Sequence, residues 1–291
     1  MDYGPDSETL LKRFAKYNGD ELNLNFLDIT CVPPLPKSLK ILRISHTKIA
    51  IMPPLPPSLH TLECMYTNIV SIVSLPPALR IFDCWGSPIK ALPLLPDTLK
   101  ELIVSRTKIT QLPPLAKHLE ILRVSETDIS HLPLLPVTLL TLSICRSKIT
   151  SLPQLPYGLE RLYAENSKLT RLPNLPDTLK TLIVSRTAIK SLPNLPPNLA
   201  SLCASADLLS TLPLILPETL VDFGCICFGR GTQPDCFDCF RQTTPLKAGE
   251  ALQMWLKARS ESRQQARANL LKEDLLTAVC HPDKICDHII L

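Results

Sequence analysis

Two cysteine pairs, Cys225-x-Cys227 and Cys236-x-x-Cys239, are separated by eight residues. Four thiolates can hold a tetrahedral zinc ion, and a C-x2-C pair is a good half-site. The C-x-C half is poorer, so free thiols compete with zinc, and a disulfide-stapled end is a third reading. A second group, Cys280, His281, Cys286 and His288, has a spacing that fits no standard zinc finger. A catalytic cysteine needs a neighbouring base and a lowered pKa, and no motif supplies either. There is no HExxH string and no glycine-rich phosphate loop, so the sequence reads as a non-enzyme. The remaining chemistry lies in arginines and aromatics that recur in phase. Arg106, Arg146 and Arg186 stand forty residues apart. Tyr66, Trp85, Ile103, Arg123, Arg161 and Tyr163 accompany them. Side chains of this kind on a rigid support carry most of the binding energy in protein interfaces.

The support is an internal repeat. Leucine recurs every twenty residues from Leu39 to Leu199, and again at Leu220 after a one-residue insertion. A second column runs from Leu35 to Leu195 at the same spacing. The copy LPLLPDTLKELIVSRTKITQ, residues 92–111, returns almost unchanged as LPNLPDTLKTLIVSRTAIKS, residues 172–191. Within a copy, Leu99, Leu102, Val104, Ile109 and Leu112 fit the leucine-rich-repeat pattern L-x-x-L-x-L-x-x-N-x-L. Leu102 and Val104 alternate with Glu101, Ile103 and Ser105, the period of a strand with one buried face. Stacked copies form a parallel sheet with strands about 4.8 Å apart. Each copy carries apolar side chains that only its neighbours can hide.

Twenty residues leave no room for a helix on the return path. Proline fixes φ, donates no hydrogen bond and holds its predecessor extended. The L-P-x-L-P stretch therefore predicts a polyproline-II-like convex side. The expected fold is an α/β leucine-rich-repeat solenoid with a parallel sheet on its concave face. The asparagine usual at the turn is replaced by Thr47, Thr67, Ser87, Thr107, Thr127, Ser147, Ser167 and Thr187. Hydroxyls can serve the same turn groups, which predicts a buried structural ladder; a phosphorylation array would need them exposed.

An open solenoid needs capped ends. Residues 1–18 predict a helical cap, with Asp6 or Ser7 as N-cap, the helix running to about Tyr17, and Leu10, Leu11 and Phe14 on one face. The solenoid spans 19–228. A Cys-rich linker, 229–245, and a helical cap or adaptor, 246–291, complete the expected organisation. By register, Tyr66, Trp85, Ile103, Arg106, Arg123, Arg146, Arg161, Tyr163 and Arg186 face outward from the sheet. Glu101, Glu126 and Glu165 interleave with them, so a solvated salt-laced face competes with a binding surface.

Composition narrows the classes. Twenty-nine Pro stand against eight Gly, and 45% of residues are hydrophobic, too many for disorder. A net charge of +4 does not by itself imply binding to nucleic acid or an anionic membrane. No apolar run approaches the roughly 18 residues of a membrane span, and no secretory signal is legible. The eleven cysteines are then expected reduced, in a cytoplasmic setting.

The repeat LPxLPxxLxxLxxSxT resembles the twenty-residue repeats of bacterial effectors of the YopM and IpaH type, over residues 19–228. The resemblance implies a protein that acts in a host cytosol by binding host proteins. IpaH-type ubiquitin ligases carry a Cys-x-Asp motif in a large domain beyond the repeats. Cys236-Phe-Asp238 matches that string, although residues 229–291 are shorter than that domain. The tail LLKEDLLTAVCHPDKI resembles a C-terminal helix and His-Pro-x-Arg/Lys-Ile segment of giant-virus proteins, which implies a viral origin. The expected function is a protein–protein interaction scaffold. One alternative is a ubiquitin-ligase component using the C-terminal segment; another is nucleic-acid binding through the concave arginines. Zinc on Cys225, Cys227, Cys236 and Cys239 is the one cofactor the sequence allows for.

Overall fold

The computed structural model describes residues 3–17, 19–204, 217, 219–220 and the backbone of 222–224. One helix, α1 (Ser7–Ala15), precedes eleven three-residue strands. These are β1 (Glu21–Asn23), β2 (Ile41–Arg43), β3 (Thr61–Glu63), β4 (Ile81–Asp83), β5 (Glu101–Ile103), β6 (Ile121–Arg123), β7 (Thr141–Ser143), β8 (Arg161–Tyr163), β9 (Thr181–Ile183), β10 (Ser201–Cys203) and β11 (Asp222–Gly224). They form one parallel sheet in chain order. Paired residues differ by twenty from β1 to β10, and by twenty-one between β10 and β11, where the insertion falls.

Position within the repeat decides burial. The middle strand residue and the residue after each strand point inward: Leu102 and Val104, Leu122 and Val124, Leu142 and Ile144 are fully buried. So are Leu99 and Ile109 and their equivalents. Each is worth roughly 1.5–3 kcal/mol when removed from water. The L-P-x-L-P stretches contain neither helix nor strand. The second proline of each opens a tight turn, its carbonyl accepting the N–H of the leucine that starts the next strand approach: Leu59 to Pro56 at 3.1 Å, Leu99 to Pro96 at 3.0 Å, Leu179 to Pro176 at 3.0 Å. Hydroxyls reinforce the stack on this side. Thr98 Oγ1 donates toward the carbonyls of Pro77 and Leu79 in the preceding repeat, at 2.7 and 2.8 Å. Ser58, Thr138 and Thr219 repeat the contact.

The turn hydroxyls form the expected structural ladder. Thr47, Thr67, Thr107 and Thr127 are buried. Each Oγ1 donates to the carbonyl three residues back, at 2.7–3.1 Å. Ser87 is fully buried and serves two repeats, donating to Cys64 O at 2.7 Å and accepting the Thr67 N–H at 3.0 Å. A kinase could not reach these hydroxyls without unfolding the turn.

The N-terminal cap is corrected in three respects. Helix α1 ends at Ala15, and its inward face holds Leu10 and Phe14, one turn apart, while Leu11 is 53% exposed. Leu11 lies 100° around the helix from Leu10, so both cannot face the same neighbour. Asp6 sits at the N-cap position without capping the helix through its side chain. Its carboxylate instead accepts the Asp28 N–H at 2.6 Å, tying the helix to the first repeat. Arg13 adds a second tie, donating to the carbonyl of Asn23 at 2.8 Å.

The expected Cys-rich linker, 229–245, the expected helical segment, 246–291, Cys225, Cys227, Cys236, Cys239 and the second Cys/His group lie outside the described residues. Among the described residues no group of side chains has metal-ligand proximity, and no helix is long and apolar enough to cross a membrane.

Candidate interaction face

On β2–β6, β8 and β9 the first and third residues face away from the core, as the alternation of intermediate and buried side chains records. On this face the structure places Ile103, Arg123, Arg161 and Tyr163, each half-buried among its neighbours. Arg161 Nε donates to Thr141 Oγ1 at 3.1 Å, and its Nη1 lies 3.4 Å from Glu160. Tyr163 holds its phenol proton more tightly than usual because the ring is largely withdrawn from water.

Three carboxylates, Glu63, Asp83 and Glu101, occupy neighbouring strands β3, β4 and β5. Arg43 pairs with Glu63 at 3.2 Å and with Glu21 at 2.9 Å. Burial raises the Asp83 carboxyl to about 6, against a helpful hydrogen bond from the Trp85 N–H and with Glu63 adding repulsion. That hydrogen bond, 3.0 Å long, has a local cause. In other repeats the N–H two residues beyond the strand is taken by a side chain of the repeat before: Ser45 Oγ accepts from Met65, Ser105 Oγ from Ser125, Ser125 Oγ from Cys145, at 3.0–3.1 Å. Met65 has no hydroxyl to offer Trp85, and Asp83 takes over.

The second part of the site is a column of turn residues. Phe26, His46, Tyr66, Arg106, Glu126, Arg146, Asn166 and Arg186 all have φ between 50° and 64°, and Gly86 has φ 71°. This left-handed conformation is unfavourable for any residue with a Cβ. It recurs because, from Phe26 to Asn166, each N–H in the column reaches a carbonyl of the following repeat: His46 to Met65 at 2.8 Å, Tyr66 to Trp85 at 2.9 Å, Arg106 to Ser125 at 2.9 Å, Arg146 to Glu165 at 2.9 Å.

The column's side chains stack on one another at strand spacing. Phe26 and His46 lie face to face, ring centres 4.7 Å apart. His46 and Tyr66 follow at 4.8 Å, and Trp85 meets Tyr66 edge-on at 4.7 Å. The Arg106 guanidinium then covers the Trp85 ring at 5.3 Å, a cation–π contact. Its Nη1 lies 3.4 Å from the Tyr66 hydroxyl, and its Nε donates to Glu126 at 2.9 Å. Glu126 also faces Arg146 at 3.6 Å. The run is continuous because position 86 is glycine: a Cβ there would sit 2.7 Å from the Tyr66 ring.

The sequence placed Tyr66, Trp85, Arg106, Arg146 and Arg186 on the sheet face. The structure puts Tyr66 and the three arginines on the turn column, one step beyond the strands, and groups Tyr66, Trp85 and Arg106 tightly. Arg186 lies at the far end of that column. Glu165, expected to be solvated, is buried. Phe26, His46 and Gly86 were missed; they stand at twenty-residue spacing from Tyr66, and that register was the available signal.

No protein-family model matches the sequence, and neither does any curated protein sequence. Solved structures do. YopM from Yersinia enterocolitica WA-314 is 37% identical, with a TM-score of 0.66 over 69% of this chain and 45% of that one. YopM of Yersinia pestis, a leucine-rich effector protein, is 25% identical, with a TM-score of 0.57 over 76% of both chains. The chain has the leucine-rich-repeat fold, and its repeats are similar to those of YopM. It spans less than half the length of the first of these YopM chains. In this leucine-rich-repeat frame the exposed sheet and the stacked turn column are two adjoining stripes of one surface.

Proposed function

We propose that this leucine-rich-repeat protein is an interaction scaffold that holds a protein partner against its exposed sheet and turn column, in the cytosol of a host cell. The observation that carries the reading is the Tyr66–Trp85–Arg106 cluster, aromatic and cationic groups fixed on a hydrogen-bonded support. Tyrosine, tryptophan and arginine dominate interface hot spots, and here stacking and hydrogen bonds already hold the three side chains in place. The likeness to YopM, an effector, supports a host factor as the target. The carboxylates of Glu63, Asp83 and Glu101 on the same sheet would repel phosphates, which favours a protein partner over nucleic acid.

The test is affinity capture from host-cell lysate read by mass spectrometry. Wild type is compared with an Arg123→Glu, Arg161→Glu, Tyr163→Ala variant whose circular dichroism matches wild type. A partner retained by wild type and lost by the variant places binding on the sheet. A partner held equally by both, and also by a folded Tyr66→Ala, Trp85→Ala, Arg106→Ala variant, refutes the reading and points to residues 229–291, where the ubiquitin-ligase alternative would also have to reside.

A further inference from the structure

The exposed face is electrically lopsided. On the outward strand positions of β1–β5 stand Glu21, Glu63, Asp83 and Glu101 against one guanidinium, Arg43. On β6–β9 the outward positions hold Arg123 and Arg161 and no acid. The asymmetry belongs to the strands: the turn column beside them is mixed, with Arg106 next to β5, Glu126 next to β6, and Arg146 and Arg186 next to β7 and β9. The two halves meet at Ile103 and Ile121, so an apolar waist separates acid from base. Burial is the main reason that the Asp83 carboxyl is raised; Glu63 and Glu101 add to it, and Arg123 opposes them.

We propose that this face takes an extended protein segment running across the strands, with basic side chains over β3–β5 and acidic side chains over β6–β8. The inference rests on the sheet being the binding face and adds the partner's chemistry and its polarity. Charge complementarity selects the partner and speeds encounter more than it adds raw affinity. The spacing follows from the fold. Asp83 on β4 and Arg161 on β8 are four strand intervals apart, about 19 Å at about 4.8 Å each. An extended chain rises about 3.3 Å per residue, so the basic and acidic groups should lie about six residues apart. Apolar residues between them would cover Ile103 and Ile121. Either chain direction satisfies this pattern, provided that the order of the basic and acidic residues along the segment is reversed with it.

A random dodecapeptide library displayed on phage, panned against the full chain, tests this. Enriched peptides are synthesised and titrated by fluorescence anisotropy against wild type, an Asp83→Asn/Glu101→Gln variant, an Arg123→Gln/Arg161→Gln variant and an Ile103→Ala/Tyr163→Ala variant. The expected result is enrichment of peptides with Lys or Arg about six positions from Asp or Glu. Each charge-neutralising variant should weaken them about tenfold, and their affinity should fall as salt rises. Enriched peptides that lose affinity for Ile103→Ala/Tyr163→Ala but lack the bipolar pattern overturn this inference and leave the sheet as the binding face. Peptides indifferent to all three variants overturn both. Failure to enrich any peptide counts against a site for extended segments.

Discussion

At the residue scale, Asp83 is informative because its two roles pull in opposite directions. Its carboxylate accepts the Trp85 N–H, yet burial and two acidic neighbours disfavour its charge. The folded-state pKa of about 6 exceeds the ordinary 3.8, so the folded protein binds the proton more tightly than the unfolded chain. The resulting stabilisation is complete below about pH 4 and is lost as pH rises through about 6. Asp83→Asn keeps an oxygen for Trp85 and removes the charge. It should raise stability by about 1–3 kcal/mol at pH 7 and by nothing at pH 3.5, as urea titrations at the two pH values will show. Asp83→Ala leaves the Trp85 N–H unserved and should gain far less. Adding Met65→Ser supplies the hydroxyl found in other repeats and should recover the difference. Non-additivity in that cycle is the signature of the shared hydrogen bond.

At the element scale, the turns at Thr47, Thr67, Thr107, Thr127 and Thr187 each combine one hydroxyl bonded to the carbonyl three residues back with one left-handed residue. Thr127→Val preserves shape but removes the donor to the Val124 carbonyl, 2.7 Å away. A buried carbonyl without its partner costs about 1–3 kcal/mol. Thr110→Val, on an exposed side chain, should stay within about 0.5 kcal/mol. Equal effects in thermal melts would show that the hydroxyl ladder is dispensable. Much of this level was legible in the sequence. The period of two around Leu102 and Val104 located the strands, and the Thr/Ser column located the turns. The left-handed column was not legible, for a physical reason. Positive φ is normally betrayed by Gly, Asn or Asp, and here only Gly86 and Asn166 are of those types. Hydrogen bonds to the next repeat impose the conformation, so Phe26, His46, Tyr66 and Arg106 adopt it against their own preference. Register on the strands therefore placed Ile103, Arg123, Arg161 and Tyr163 correctly and put Arg106, Arg146 and Arg186 one step off.

At the scale of the whole molecule, each strand pairs only with the strands beside it, so stability should be close to a sum over neighbours. Removing residues 121–140 brings β5 against β7 in an unchanged register. The shortened protein should stay folded and unfold in one transition at a lower midpoint, while excision of ten residues, half a repeat, should abolish the transition. Circular dichroism melts distinguish the two. The fold's overall shape was evident from leucine spacing alone because every repeat reports the same geometry. The charge asymmetry of the face was not, since it depends on which half of the stack each of a few acids and arginines occupies. The left-handed column has a further consequence for how such a protein changes over generations. One backbone geometry there accepts a phenyl ring, an imidazole, a phenol, a carboxylate, an amide or a guanidinium. Substitutions at those sites should therefore drift quickly and alter which target is recognised, while the leucines beside them stay fixed: a surface whose lettering can be rewritten on an unchanging page.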